Sequence, residues 1–227
     1  QRRKLSVNRR VQRKRAAVNA EALSQDLQVP QVAKPDETRD ALLAACKTMA
    51  GKDGLFEGMD DAAMLALVGS MQRQEAAAGE VVITQGEVVA DTFYVIEAGG
   101  AEVLVQQEGA ADGELGKVLA TYKAGDCFGE LALLYSTPRA ATVRMTAGSV
   151  LWVMERRYYA KIRHASLQKL AQEKATLLER APAFKGLAPE FRAEVAASME
   201  PMYCVAGECV FQKGDIGDKF YLIKKGK

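Results

Sequence analysis

Residues 128–143 run Phe128-Gly129-Glu130-Leu131-Ala132-Leu133-Leu134-Tyr135-Ser136-Thr137-Pro138-Arg139-Ala140-Ala141-Thr142-Val143, and their types suit the capture of an anion that carries hydroxyls. Gly129 permits close backbone approach, and the five residues after it favour a single helical turn whose unpaired N–H groups attract negative charge. Arg139 is the only charged residue between Leu131 and Val143, with the small Ala140 and Ala141 leaving room beside it. Its planar guanidinium suits bidentate pairing with a phosphate. Glu130 would be repelled by phosphate but can accept hydrogen bonds from sugar hydroxyls, and phosphate plus sugar describes a nucleotide. A buried ion pair between Glu130 and Arg139, holding a turn to a sheet, fits the same two residues.

The elements that must position this segment are legible in the hydrophobic periods. Thr38-Arg39-Asp40 introduces a helix-period run of Leu42, Leu43, Cys46 and Met49, closed by the turn from Gly51 to Gly54. Asp60 and Asp61 are placed to cap a second helix carrying Met64, Leu65, Leu67, Val68 and Met71. Beyond Gly79 the period changes to that of strands, at 81–84, 93–97, 101–106, 118–122, 140–145 and 150–153. Six short strands with tight turns predict an α+β chain built on an antiparallel, jelly-roll-like β-roll flanked by helices. From Glu155 to Arg180 there is no Gly or Pro, and a long helix is expected to close the unit.

Composition narrows the chemistry. The chain has 227 residues, 48% hydrophobic and 26% charged, as expected of a globular protein. One histidine, His164, argues against His-dependent hydrolysis and multi-His metal sites, and no nucleophile stands beside a base, so an enzyme is not expected. Cys46, Cys127, Cys204 and Cys209 form no CxxC pair and read as reduced thiols of a cytoplasmic protein. No apolar run approaches the roughly 20 residues that a membrane-spanning helix needs. The first residue is not Met, which suggests a piece of a longer protein.

Sliding the chain on itself by 128 positions reveals an internal duplication. Phe56-Glu57-Gly58-Met59 falls on Phe184-Lys185-Gly186-Leu187, Gly79-Glu80 on Gly207-Glu208, and Thr84-Gln85-Gly86-Glu87 on Gln212-Lys213-Gly214-Asp215. After a one-residue gap Phe93-Tyr94-Val95-Ile96 meets Phe220-Tyr221-Leu222-Ile223. A period this long means tandem domains, since solenoid repeats run at roughly 20–50 residues. The expected division is therefore a basic arm and linker over 1–36, a first domain with its long helix over 37–180, and a truncated second domain over 181–227.

The segment FGELALLYSTPRAATV resembles the phosphate-binding cassette of cyclic nucleotide-binding domains, in the form found in regulatory subunits of cyclic AMP-dependent protein kinase. GEVVITQGEVVADTFYVI is similar to the first strands and turn of that family, and LWVMERRYYAKI to the strand and helix after the cassette, so the resemblance covers roughly residues 38–227. It implies cyclic AMP as ligand and no further cofactor. In that family Glu130 would bind the ribose 2′-hydroxyl and Arg139 the cyclic phosphate, with Asp91 orienting Arg139. The N–H groups of Ala132, Ala140 and Ala141 would line the pocket together with Gly129 and Leu131, and Tyr135 would contact the kinase catalytic subunit. Members that prefer cyclic GMP usually place Thr or Ser directly after the arginine, and Ala140 at that place implies cyclic AMP.

Residues 1–15 hold eight of the 31 basic residues and none of the 29 acidic ones, leaving −6 for the rest of the chain. As bulk charge such an arm suits nucleic acid or phospholipid. Its order resembles something narrower: Arg13-Lys14-Arg15-Ala16-Ala17-Val18-Asn19-Ala20-Glu21 is similar to the inhibitor segment of type I regulatory subunits, which imitates a kinase substrate. Lys14 and Arg15 would engage acidic groups of the kinase cleft, with Ala16 the next residue of the segment. Ala17 would take the phosphoacceptor place without a hydroxyl, and Val18 would enter an apolar pocket. The family more often has Arg where Lys14 stands. Upstream, Ser6 in Arg2-Arg3-Lys4-Leu5-Ser6-Val7 is either a phosphorylation site or a plain tail serine. The expected partners are thus the catalytic subunit and cyclic AMP, with neither nucleic acid nor membrane, and a homodimer of the full-length protein.

Two positions depart from the family pattern. Glu190-Phe191 stands where a Trp usually caps the adenine, and Ala171, with Lys169 and Lys174 nearby, where an Arg usually pairs with the ribose-binding glutamate. Rival readings are the regulatory half of a single-chain kinase, a pocket reading another nucleotide or nucleoside, and a transcription regulator of the bacterial receptor type. The last would need a helix-turn-helix where the second copy begins.

Overall fold

Helix α1 (Asp36–Met49) starts directly after Pro35, whose carbonyl accepts its opening bond from the Arg39 N–H at 3.0 Å. Asp36 and Glu37 occupy its first turn, where carboxylates suit the helix dipole, so it begins two residues ahead of the expected Thr38. Helix α2 (Asp61–Ser70) is capped as expected, the Asp60 carboxylate accepting from the Ala63 N–H at 2.9 Å. The computed structural model describes residues 27–49, 55–56, 58–106, 116–135 and 137–226. The arm residues Ser6, Lys14, Arg15, Ala16, Ala17 and Val18 lie outside them.

Among the described residues eight strands follow, all paired antiparallel in two four-stranded sheets. One sheet has the order β1 (Gln72–Ala76), β8 (Ser149–Glu155), β3 (Thr92–Ala98), β6 (Cys127–Phe128). The other has the order β2 (Val81–Ile83), β7 (Thr142–Met145), β4 (Gly100–Val105), β5 (Lys117–Lys123). This is the expected antiparallel roll, with two strands added. β1 reads QRQEA and buries only Ala76, as an edge strand does, while β6 has two residues and no period to detect.

Alternation along β3 and β8 divides the apolar residues between two cores. Tyr94, Ile96 and Leu151 join Ile83, Phe128, Val143 and Met145 between the sheets. Phe93, Val95, Trp152 and Met154 face the other way and pack with Leu42 and Cys46 of α1 and with Leu67, Val68 and Met71. The short helix α3 (Leu131–Leu134) contributes Leu133 and Leu134 to this second core. Helix α4 (Arg156–Arg180) is the long uninterrupted helix expected there, and the buried Tyr159 near its start donates to the Leu55 carbonyl.

The chain divides into two compact units inside α4, between Ser166 and Leu167. The second unit contains a 3-10 turn at Pro182–Phe184 and α5 (Pro189–Ser198). Advancing α2 by 128 positions gives α5 with both bounds matched, and the closing bond Met71 N–H to Val68 O recurs as Met199 N–H to Ala196 O. Turns recur too: Ala77 N–H to the Glu80 carboxylate and Val205 N–H to the Glu208 carboxylate are both 2.8 Å. Gly79 and Gly207 both take positive φ, at 82° and 87°. No strand forms among the described residues 201–226, and Tyr203 and Ile216 are each 90% exposed. No helix among the described residues is long and apolar enough to cross a membrane.

Candidate functional site

Arg139 sits at the join of β2, β3 and the segment after α3. Its own N–H donates to the Glu87 carbonyl at 2.9 Å, and its carbonyl accepts from Gly86 at 2.9 Å, so the turn before β3 clasps its backbone. The side chain runs inward and the residue is 9% exposed. Nη2 donates to both the carbonyl and the hydroxyl of Thr92, each at 2.9 Å, and Nη1 points to the Gly129 carbonyl at 3.5 Å. Nε is buried without a hydrogen-bond partner.

This arrangement decides against the plainer role for the pair. Among the described residues no carboxylate forms an ion pair with Arg139, and the guanidinium is held by neutral oxygens alone. Burial pulls its pKa down, opposed by the field of Tyr94, Glu87, Asp91 and Glu130. A desolvated cation without a counter-ion costs free energy, and an anion bound beside it would recover that cost.

Gly129 is required here. Its φ is +80°, and a Cβ built on it would lie 2.9 Å from Nη1 of Arg139 and 3.0 Å from the Thr92 carbonyl. Glu130 and Leu131 follow at once, Glu130 half-buried ahead of α3 and Leu131 exposed as its first residue, with Ala132 next in the helix. Tyr135 ends α3, its N–H donating to the Leu131 carbonyl at 2.8 Å and its ring packed against the helical core. Ala140 is exposed and Ala141 half-buried in the bend leading to β7.

Gly129, Glu130 and Arg139 are therefore brought together, but Asp91 does not hold Arg139. It makes no hydrogen bond or ion pair with the guanidinium; its neighbour Thr92 takes that place, because successive residues entering a strand face opposite sides. The Asp91 carbonyl instead accepts from the Arg156 N–H at 2.6 Å, at the start of α4. In the second unit Phe191 lies in the first turn of α5 and is 61% exposed, next to Glu190. The role of Thr92 escaped the sequence reading, since a strand threonine carries no signal of its own. No group of three or more His, Cys, Asp or Glu suited to a metal occurs among the described residues.

Residues 73–166 match the model of the cyclic nucleotide-binding domain family. The cAMP-dependent protein kinase regulatory subunit of Blastocladiella emersonii is 36% identical over 220 residues, which cover 94% of this chain and 52% of that protein. The cAMP-dependent protein kinase regulatory subunit of Emericella nidulans is 33% identical, over 82% of this chain and 46% of that one. The chain thus spans about half the length of the curated relatives it matches. Among solved structures, cAMP-bound PfPKA-R is similar with a TM-score of 0.52 and 25% identity, over 76% of this chain and 58% of that one.

Proposed function

Because residues 73–166 match the cyclic nucleotide-binding domain family and the relatives are regulatory subunits, we propose that this chain reads cyclic AMP and restrains a protein kinase catalytic subunit. The observation that carries the pocket is the buried guanidinium of Arg139, which has no ion-pair partner among the described residues and keeps Nε without a hydrogen bond there. The cyclic phosphate would pair with it, Glu130 would accept from the ribose 2′-hydroxyl, and peptide N–H groups of Ala132, Ala140 and Ala141 would meet the phosphate oxygens.

The arm supplies the restraint in this reading: Lys14, Arg15, Ala16, Ala17 and Val18 fill the substrate cleft, Ala17 offering no hydroxyl to phosphorylate. Release needs the nucleotide to bind the freed form more tightly than the kinase-bound one, and the kinase then weakens the nucleotide by the same factor. That coupling would run through the start of α4 in this reading, supported by the bond from the Arg156 N–H to the carbonyl of Asp91, the residue before the Thr92 that holds Arg139.

The test is peptide phosphorylation by a cAMP-dependent catalytic subunit titrated with this chain, with and without cyclic AMP. Inhibition relieved by the nucleotide is the expected outcome. Inhibition that cyclic AMP does not relieve would assign the pocket another ligand, and no inhibition would return the arm to a plain basic tail.

Base preference follows from position 140, where alanine offers no hydroxyl to a guanine amino group. Cyclic AMP is expected to compete better than cyclic GMP. Ala140→Thr should strengthen cyclic GMP by up to about tenfold, the worth of one hydrogen bond. Equal affinities of the unaltered chain for the two nucleotides would refute this.

A further inference from the structure

We propose that the Thr92 hydroxyl, backed by the Tyr94 phenol, is the positioning group that sets the Arg139 guanidinium for its anion; this rests on the nucleotide-binding reading above. Nη2 of Arg139 carries two hydrogens, and the Thr92 carbonyl and hydroxyl, each at 2.9 Å, accept them. With its oxygen engaged by a cation, the Thr92 hydroxyl directs its own hydrogen to the Tyr94 oxygen at 3.1 Å. Each bond polarises the next in the same sense.

Tyr94 is a fixed end for this relay. It is the register partner of Phe128 across β3 and β6, and the two rings stack at 5.0 Å with 12° between their planes. Phe128 stacks in turn on Tyr122 at 5.7 Å and 5°. A phenol held in such a stack has little freedom to swing, so the relay ties the guanidinium to the rigid interior of the roll. Glu87, Asp91 and Glu130 surround Arg139 as charges without bonding to it, and a field without a hydrogen bond does not fix an angle. With Nη2 committed to Thr92, Nε is the donor left buried and unpaired.

The experiment uses protein labelled with 15N arginine, unaltered and as Thr92→Val, Thr92→Ser and Tyr94→Phe, with the Arg139 signals assigned by their loss in Arg139→Lys. Two quantities are read: hindered rotation of the Arg139 guanidinium in the ligand-free protein, and cyclic AMP affinity. Thr92→Val keeps shape and carbonyl, so its thermal midpoint should stay close to that of the unaltered chain. It should free the guanidinium rotation and weaken cyclic AMP roughly 10- to 150-fold, as expected for one hydrogen bond to a charged group. Thr92→Ser should restore both, and Tyr94→Phe should fall between. Unchanged rotation and affinity in Thr92→Val would overturn the assignment, as would failure of Thr92→Ser to restore them. If the unaltered chain does not bind cyclic AMP, the proposed function falls, while the ligand-free rotation still decides the role of Thr92.

Discussion

Replacing Arg139 with alanine is expected to weaken cyclic AMP binding by about 30-fold to several thousand-fold, the range set by roughly 2–5 kcal/mol for truncating one partner of a buried charge pair. The size of the effect follows from the site. Arg139 is buried and bonded only to neutral oxygens, with Glu87, Asp91 and Glu130 acting on it as a field and not as ion-pair partners, so the phosphate would be the first opposite charge to bond to it. Binding and folding are separated by temperature: Arg139→Ala also removes the bonds to the Thr92 carbonyl and hydroxyl, so its thermal midpoint should fall by a few degrees, and affinities are compared well below it. Calorimetric titration measures the affinity, and a loss under tenfold would reject the phosphate assignment.

Replacing Lys14 and Arg15 together with alanine is expected to weaken inhibition of the catalytic subunit by roughly 100-fold or more. Hydrogen bonds to charged groups contribute about 1.5–3 kcal/mol each, and two are lost. Cyclic AMP affinity of the chain alone should not change, since the proposed pocket falls within residues 73–166 and the arm before residue 27. Ala17→Ser gives the complementary result, turning an inhibitor into a substrate that takes up phosphate at that position. Undiminished inhibition by the doubly substituted chain would show that its basic residues are not read one by one.

The parts of this molecule that rest on local chemistry could be read directly. Asp60 caps α2 because a carboxylate before an apolar period does so in any setting. The turns at Gly79 and Gly207 have the same geometry, although only the first joins two strands, β1 and β2. What stayed hidden depends on partners distant in the chain. β1 is polar and becomes a strand only because β8 lies beside it, from Gln72 against Val153 to Ala76 against Ser149. The cassette's glycine, glutamate and arginine could be picked out by type, but whether Asp91 or Thr92 reaches Arg139 is set by which side of β3 each faces. Residues 201–226 form no strand although their turns repeat those of the first unit, and Tyr203, Val205 and Ile216 stay exposed there.

Trp152 is the only tryptophan of the chain. Its indole N–H donates to the Glu97 carboxylate at 3.0 Å, and the Lys34 ammonium lies 4.6 Å from the ring centroid. That same ammonium bonds to the carbonyls of Val32 and Met71, at 3.0 and 2.9 Å, fastening the stretch ahead of α1 to the end of α2. The indole is thus a built-in optical gauge of a single junction. Its emission, excited selectively at the red edge of protein absorption, reports whether the strap leading from the arm is seated on the roll, with no dye attached and no second emitter to subtract.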